Sequence, residues 1–243
     1  MKVLVIPDVH LKPWIFSQAG KLMKDGAADR AVCLMDIADD WNKEYDLTSY
    51  EQTYDAAISF AREFPDTLWC YGNHDVCYVW NQRESGYSPA AAYTVCRKIH
   101  ELHASLPHRD QMTYLHRIDN ILFSHGGLAD SFVKRYVPEQ VYHDVDAVIR
   151  TVNGFGVEEM WHGDSPIWYR PQYRAGAMYQ EKELLQIVGH TPVNRIERYG
   201  SVISCDVFST FQNGEPIGTQ VFPVIDTEKG ELSAELQTVG DQE

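Results

Sequence analysis

No stretch of the chain approaches the ~18 consecutive apolar residues that a membrane-crossing helix requires. The first apolar run, Val3 to Ile6, is too short for a secretory h-region and passes straight into a polar motif, so it reads as a strand. Basic residues are scarce: 21 Lys and Arg stand against 35 Asp and Glu, a formal net charge of −14. Nucleic-acid affinity comes mainly from Lys and Arg neutralising phosphates, so this balance argues against a broad nucleic-acid surface. The same field opposes any anionic substrate, which would have to be drawn in by local positive charge such as bound divalent cations. The five cysteines (Cys33, Cys70, Cys77, Cys96 and Cys205) are odd in number, scattered and without a C-x-x-C pair. That is the usage of reduced thiols, not of a disulfide framework. Internal repeats, low-complexity tracts and Pro/Gly/Ser-rich linkers are also missing. These absences lead to the expectation of a soluble, cytoplasmic protein with no membrane partner, folded as one domain over 1–243.

What is present is an alternation of two periodicities. Short β-branched or apolar runs at Val3–Ile6, Ala31–Met35, Thr67–Tyr71, Asn120–Ser124 and Leu185–Val188 read as buried strands. Between them, Ser49–Phe64 and Pro89–Leu106 carry apolar residues near helical spacing, and Pro138–Val152 does so more weakly. From Ser201 onward β-like runs alternate with turns at Asn213-Gly214 and Lys229-Gly230. Strand–helix alternation with a β-rich tail predicts an α/β fold with mixed sheets.

Each strand-like run is followed at once by residues able to bind metal. The fragments are Pro7-Asp8-Val9-His10, Asp36-Ile37-Ala38-Asp39, Gly72-Asn73-His74-Asp75, His125-Gly126-Gly127 and Gly189-His190-Thr191-Pro192. Open α/β sheets place their sites at the carboxyl ends of strands. Asp8 and His10 are two apart, so an extended segment would point both to one side. Taken singly most fragments are weak: D-x-H is as readily a cap or surface loop, and Asp36 a turn residue. Gly72-Asn73-His74-Asp75 is more specific, pairing a sharp turn with a neutral oxygen ligand and an adjacent His. Taken together they form an ordered mixed N/O set that suits Mn²⁺, Zn²⁺ or Fe, and Ca²⁺ less well. No thiolate belongs to the set, which argues against a structural zinc site.

The order D-x-H, D-x-x-D, G-N-H-D, H-G-G, G-H-T resembles the calcineurin-like metallophosphoesterases. Ser124-His125-Gly126-Gly127-Leu128 and Gly189-His190-Thr191-Pro192 are most similar to the phosphoprotein-phosphatase branch in its bacterial and phage versions. The resemblance spans about residues 3 to 206. It implies a four-layer α/β/β/α sandwich of two mixed β-sheets flanked by helices, with helical insertions near 41–64 and 76–117. It implies two divalent metal ions, Mn²⁺ foremost with Fe, Zn²⁺ or Ni²⁺ as alternatives. By the same resemblance Asp8 and His10 are ligands of the first metal, Asp36 bridges both, and Asn73, His125 and His190 hold the second. His74 is then the catalytic acid, held by Asp39, and Arg170 in Pro166-Ile167-Trp168-Tyr169-Arg170 clamps the phosphate beside Asn73.

A second histidine two residues after His190 marks the nuclease-like branches; Pro192 stands there instead, which implies fewer protein ligands and more water on the first metal. The chain departs from the family pattern at three places. Met35 stands where Gly is usual and Asp75 where Glu is usual. Asp40 stands where phosphoprotein phosphatases have a phosphate-binding Arg, which leaves Arg170 as the clamp. His100, His103, His108, His116, His143 and His162 have no motif context, and Cys205-Asp206 follows a β run without entering the set. The expected activity is hydrolysis of phosphate monoesters by direct attack of a metal-bridging hydroxide, on a phosphoprotein of serine/threonine type or a small phosphoester. A phosphodiesterase or dinucleoside polyphosphate hydrolase is the second reading. Trp41, Tyr78, Trp80, Trp168 and Tyr169 could stack a base there, or equally serve as core. A metal-binding scaffold without catalysis is the third reading.

Overall fold

The structure is a computed structural model and describes residues 1–174 and 176–237. Its order is β1 (Lys2–Ile6), α1 (Trp14–Lys24), β2 (Arg30–Cys33), α2 (Leu47–Glu63), β3 (Leu68–Cys70), α3 (Asn73–Val79) and α4 (Ala92–Ser105). There follow β4 (Met112–Thr113), β5 (Leu115–Ile118), β6 (Ile121–Ser124), α5 (Asp130–Tyr136), α6 (Val145–Asn153) and α7 (Val157–Met160). The chain then runs through β7 (Leu185–Val188), β8 (Glu197–Tyr199), β9 (Val202–Ser204), β10 (Val221–Asp226) and β11 (Glu231–Gln237). Two mixed sheets result, one of order β11-β10-β1-β2-β3-β4 and one of order β5-β6-β7-β9-β8. Helices flank them: α1 packs on β1 and α2, α2 on α4, and α6 on β5. This is the α/β architecture of two flanked mixed sheets that the resemblance implied.

The runs without alternation are the central strands. β1 lies between antiparallel β10 and parallel β2, and Val3 to Ile6 are wholly buried. Strands covered on both faces read as continuous apolar runs. In the second sheet the faces divide by residue parity. Ile121, Phe123, Leu185, Ile187 and Ile203 join the core shared with the first sheet. Leu122, Val188 and Val202 face a second core with Phe132, Val133, Val148 and Val152 of α5 and α6.

Where expectation and structure differ, a local cause is visible. The run Ala31–Met35 overshoots β2, because Met35 and Asp36 adopt left-handed φ of 59° and 42° and end the strand. Helix α1 carried no start signal: its N-cap is Pro13, with no side-chain cap. Helix α3 begins at Asn73 itself, inside what reads as a turn. Pro138–Val152 splits into a short 3₁₀ turn and α6. The Lys229-Gly230 turn does join two antiparallel strands, β10 and β11. The Asn213-Gly214 turn closes a loop bridged only between Thr210 and Pro216. Among the described residues, no helix is long and apolar enough to cross a membrane.

The two sheets are tied by a buried histidine. His116 of β5 donates from Nε2 to the carbonyl of Trp69 in β3 at 3.0 Å. Burial lowers its pKa to about 4, against an ordinary 6.5. The unfolded chain therefore binds the extra proton between those values, and stability rises with pH across that window. The contribution is complete above about pH 6.5 and is lost as pH falls toward 4. The shift corresponds to about 3 kcal/mol at ~1.4 kcal/mol per unit. Urea titrations of the wild type and of His116→Asn should show their stability difference shrinking by that amount between pH 7 and pH 4. A pH-independent difference would contradict the assignment.

Candidate metal and phosphoester site

Six parallel strands deliver the site from their carboxyl ends. β1, β2 and β3 lead into Asp8–His10, Asp36–Asp39 and Asn73–His74, and β6, β7 and β9 lead into His125, His190 and Asp206. The two sheets thus present their loops to one place.

The donors converge around His125 Nε2. Asn73 Oδ1 lies 3.0 Å away, His190 Nδ1 3.1 Å and Asp36 Oδ2 3.1 Å. Asp36, His125 and His190 form one group whose ligand atoms lie within 4.8 Å of each other, and Asp8, His10 and Asp36 form another. Asp36 belongs to both, so one carboxylate is common to two adjacent donor groups. Asp8 Oδ1 and His190 Nε2 are buried with no protein partner. Orphaned donor atoms beside a mixed N/O set are what a divalent cation would satisfy, and the residues fit that group. The ring orientations agree with this. His125 Nδ1 donates to Leu34 O and His10 Nδ1 donates to Asp39 O, each at 2.9 Å. Both rings are thereby left with Nε2 as the ligating atom.

Close approach is written into two glycines. A Cβ at Gly72 would lie 1.9 Å from Asp36 Oδ1, and one at Gly189 would lie 2.0 Å from Asp8 Oδ1. Each carboxylate also accepts a backbone N–H from the neighbouring loop: His74 N to Asp36 Oδ1 at 3.0 Å, and His190 N to Asp8 Oδ2 at 2.9 Å. The backbone is strained here as well. His10, Asp36, Asp39 and His190 all have positive φ, a conformation costing of order 1–3 kcal/mol per residue and concentrated at functional sites.

The electrostatics are those of closely packed buried carboxylates and histidines. Burial, with Asp206 and Asp36 nearby, pushes the Asp8 carboxyl well up. Asp36 goes the other way: burial opposes, but the facing His125 and His74 outweigh it and hold it well below the usual carboxylate range. His125 rises to about 9, because Asp36 and Asp8 overcome the burial that would lower it. His190 falls well below 6.5, through burial and then the charges of His125 and Arg170.

Beside the donors, His74 Nδ1 donates to Asp39 Oδ2 at 2.9 Å. Asp39 Oδ1 accepts the hydroxyls of Tyr50, at 2.8 Å, and Tyr78. Asp36, the Asp39 bond and Glu84 overcome burial and raise His74 to about 10. Arg170 Nη1 donates to His190 O at 2.8 Å and to Thr191 Oγ1 at 3.2 Å, which ties the guanidinium to the His190 loop. A cavity of about 540 Å³ opens over this ground and is lined by His10, Asp36, His74, Arg170, His190 and Asp206 among others.

The calcineurin-like phosphoesterase family model matches residues 1–214. The chain belongs to that family. No curated protein matches the sequence. Among solved structures, the cold-active protein-tyrosine phosphatase of a psychrophilic Shewanella species aligns over 97% of this chain and 80% of its own, at 17% identity and TM-score 0.59. A point variant of a cold-active protein tyrosine phosphatase aligns over the same shares, at 17% identity and TM-score 0.54. A further structure of a cold-active protein tyrosine phosphatase covers 97% and 78% of the two chains, at 17% identity and TM-score 0.52. These likenesses concern the fold. Membership of the phosphoesterase family makes the chain a metal-dependent phosphoester hydrolase, and this family generally uses a dinuclear divalent centre.

The structure accounts for several departures from the phosphoesterase pattern. Met35, at the usual Gly position, has φ 59°, the left-handed conformation that Gly adopts freely, and its side chain is wholly buried. Asp75 is buried and accepts Ile37 N at 3.1 Å and Tyr54 OH at 2.9 Å, tying the third loop to the second. Asp40 lines the cavity, held by Lys12 Nζ at 3.4 Å, so this corner offers a carboxylate. Of the aromatic residues singled out, Trp41 lines the cavity, Tyr78 serves Asp39, Trp80 packs on Tyr114 and Trp161, and Trp168 packs edge-on against His190. Asn73 is buried, its amide directed to His125 and Glu84. Parts of both expected insertions reach the site: Trp41, Asn42 and Glu44 from one, and Ser85, Gly86 and Tyr87 from the other.

One site residue was noted in the sequence but left out of the set, and another escaped it. Asp206 stands two residues past the end of β9, close to the signal the other fragments shared, but without a motif around it. Glu84 lies in the loop before α4 and carried no signal. Gly72→Ala and Gly189→Ala should each lower Mn²⁺ affinity at least ~10-fold, the scale of disturbing the groups that orient a ligand. Metal content after equilibrium dialysis measures this. Wild-type occupancy in both variants would show that the close approach does not matter.

Proposed function

We propose that the chain is a phosphomonoesterase of the phosphoprotein-phosphatase kind, acting on serine/threonine-type phosphoproteins or broadly on small phosphomonoesters. The observation that carries this is that the His74–Asp39 pair and the tethered Arg170 line the same cavity as His10, Asp36 and His190 of the donor cluster. Asp8, His10 and Asp36 would hold one ion, and Asp36, Asn73, His125 and His190 the other. Two divalent ions, Mn²⁺ before Fe, Zn²⁺ or Ni²⁺, would supply charge against the phosphate oxygens and lower the pKa of the attacking water.

The chain's own groups do the rest. Arg170, fixed through Nη1, presents its remaining N–H groups to the non-bridging phosphate oxygens, a charge-assisted contact. His74 keeps its proton on the ring nitrogen facing the cavity, because Nδ1–H is committed to Asp39. It gives that proton to the leaving alkoxide, so the alcohol departs neutral. Asp39 in turn is fixed by Tyr50 and Tyr78, so the imidazole cannot rotate away. We extend the proposal to one domain over 1–243 and to a cytoplasmic setting, which the lack of disulfide patterning supports.

Protein stripped of metal and re-supplied with Mn²⁺ should hydrolyse p-nitrophenyl phosphate in clear preference to bis-p-nitrophenyl phosphate. The Shewanella protein is named a tyrosine phosphatase, so phosphotyrosine peptides join phosphoserine and phosphothreonine peptides in the next assay. His74→Asn should keep its metal and lose ~10²–10⁴ in kcat on an ester with a poor leaving group. Preference for the diester would replace the monoesterase reading with a phosphodiesterase. Full turnover by His74→Asn would remove the acid role.

A further inference from the structure

Glu84 is buried in the loop between α3 and α4, its side chain 7% exposed. Its Oε2 accepts the amide of Asn73, Nδ2 to Oε2, at 2.7 Å. Its Oε1 lies 3.9 Å from His74 Nδ1 and has no hydrogen-bond partner, although it is buried. A carboxylate buried with one oxygen unsatisfied is costly to the fold, so its presence asks for a reason beyond packing.

We propose that Glu84 is a positioning residue that fixes which way the Asn73 amide faces. The proposal rests on the metal reading above. An amide has one oxygen and one NH₂ of nearly equal size, and either end could face His125 and Asp36. Only the oxygen can bind a cation. An ionised carboxylate only accepts hydrogen bonds, so with Glu84 on one side the NH₂ must turn to it. Oδ1 is then delivered to the donor cluster, 3.0 Å from His125 Nε2.

The same loop is built against the neighbouring acid. A Cβ at Gly86 would stand 3.5 Å from both His74 Cε1 and Asp39 Cβ. Tyr87 stacks on Tyr78 at 4.5 Å, and Ser88 N donates to the Tyr78 hydroxyl at 2.8 Å, the hydroxyl that serves Asp39. Residues 84–88 therefore support a metal ligand at one end and the His74–Asp39 pair at the other. A Glu placed there is held by the loop, not by chance rotamer choice.

The experiment is a swap of donor and acceptor, read by Mn²⁺ titration calorimetry and by the melting temperature of the metal-free protein. Glu84→Ala should lower Mn²⁺ affinity ~10–100-fold, while the metal-free melting temperature holds or rises because a poorly satisfied buried carboxylate is gone. Asn73→Asp alone should also bind weakly, since it sets two carboxylates against each other. The double variant Asn73→Asp with Glu84→Gln restores one donor facing one acceptor, and should bind Mn²⁺ more tightly than either the Asn73→Asp or the Glu84→Ala protein. Glu84→Ala within twofold of wild-type affinity, or a double variant no better than Asn73→Asp, would overturn the proposal. Wild-type protein that takes up no Mn²⁺ would overturn the metal reading itself, and this one with it.

Discussion

Everything in the site follows from burying like charges together. Asp8, Asp36, Asp39, Asp75 and Asp206 are each at most 2% exposed and gather at the ends of neighbouring strands. Without cations the cluster must be neutralised by protons. Burial pushes Asp8 and Asp206 up and Asp75 to about 7, while His125 and His74 gain protons against Asp36. Divalent ions would displace those protons, because a metal competes for the same lone pairs. The arrangement is costly as protein alone and reasonable as a receptacle for cations. The surrounding devices serve to hold it in place: backbone N–H bonds to Asp8 and Asp36, glycines that let the loops close, and tyrosines on Asp39 and Asp75.

The fold supplies this cluster at a price in backbone conformation. Parallel strands from two sheets end at one place, and the chain must turn sharply after each. Non-glycine residues with positive φ sit in the loops after β1, β2 and β7. Met35 shows how such strain is tolerated. The left-handed conformation disfavours any residue with a Cβ by roughly 1–2 kcal/mol, because the Cβ crowds the following carbonyl oxygen. Burying a Met side chain returns about as much, roughly 1.5–3 kcal/mol. Glycine would relieve the strain and forfeit the burial, so the departure from the family pattern is close to neutral.

How far the sequence could be read depended on whether a feature was local. Strand ends followed by Asp, His or Asn are local, and five of them stood in order along the chain. The central strands were equally plain, since double burial writes itself as an unbroken apolar run. What escaped lacked a nearby mark. Helix α1 starts on Pro13 without a capping side chain. β5 is a short strand paired with β6 and anchored through His116, whose partner Trp69 is 47 residues away. Glu84 meets Asn73 only because the loop before α4 folds back. Asp206 had the strand end but no motif, and its place beside Asp8 comes from the pairing of β9 with β7. Pairing between distant segments is the part that spacing does not encode.

The charge balance of the cavity then bears on how a phosphate could be held. The chain is strongly acidic, and one corner of the cavity is formed by Asp40, paired with Lys12. Burial lowers the Lys12 pKa despite that partner, and its ammonium is turned to His10 O and Asp40. Among the described residues lining the cavity, Arg170 is the one arginine, and one of its nitrogens is already committed to His190 O and Thr191. An anion entering this site meets more carboxylates than cationic side chains. Ions held by the donor cluster would supply positive charge that these side chains do not. As proposed, Arg170 would orient a phosphate through its uncommitted N–H groups. In the proposed reaction the cations would admit the phosphate as well as promote its hydrolysis, which would make the fidelity of the donor cluster the controlling feature of the site.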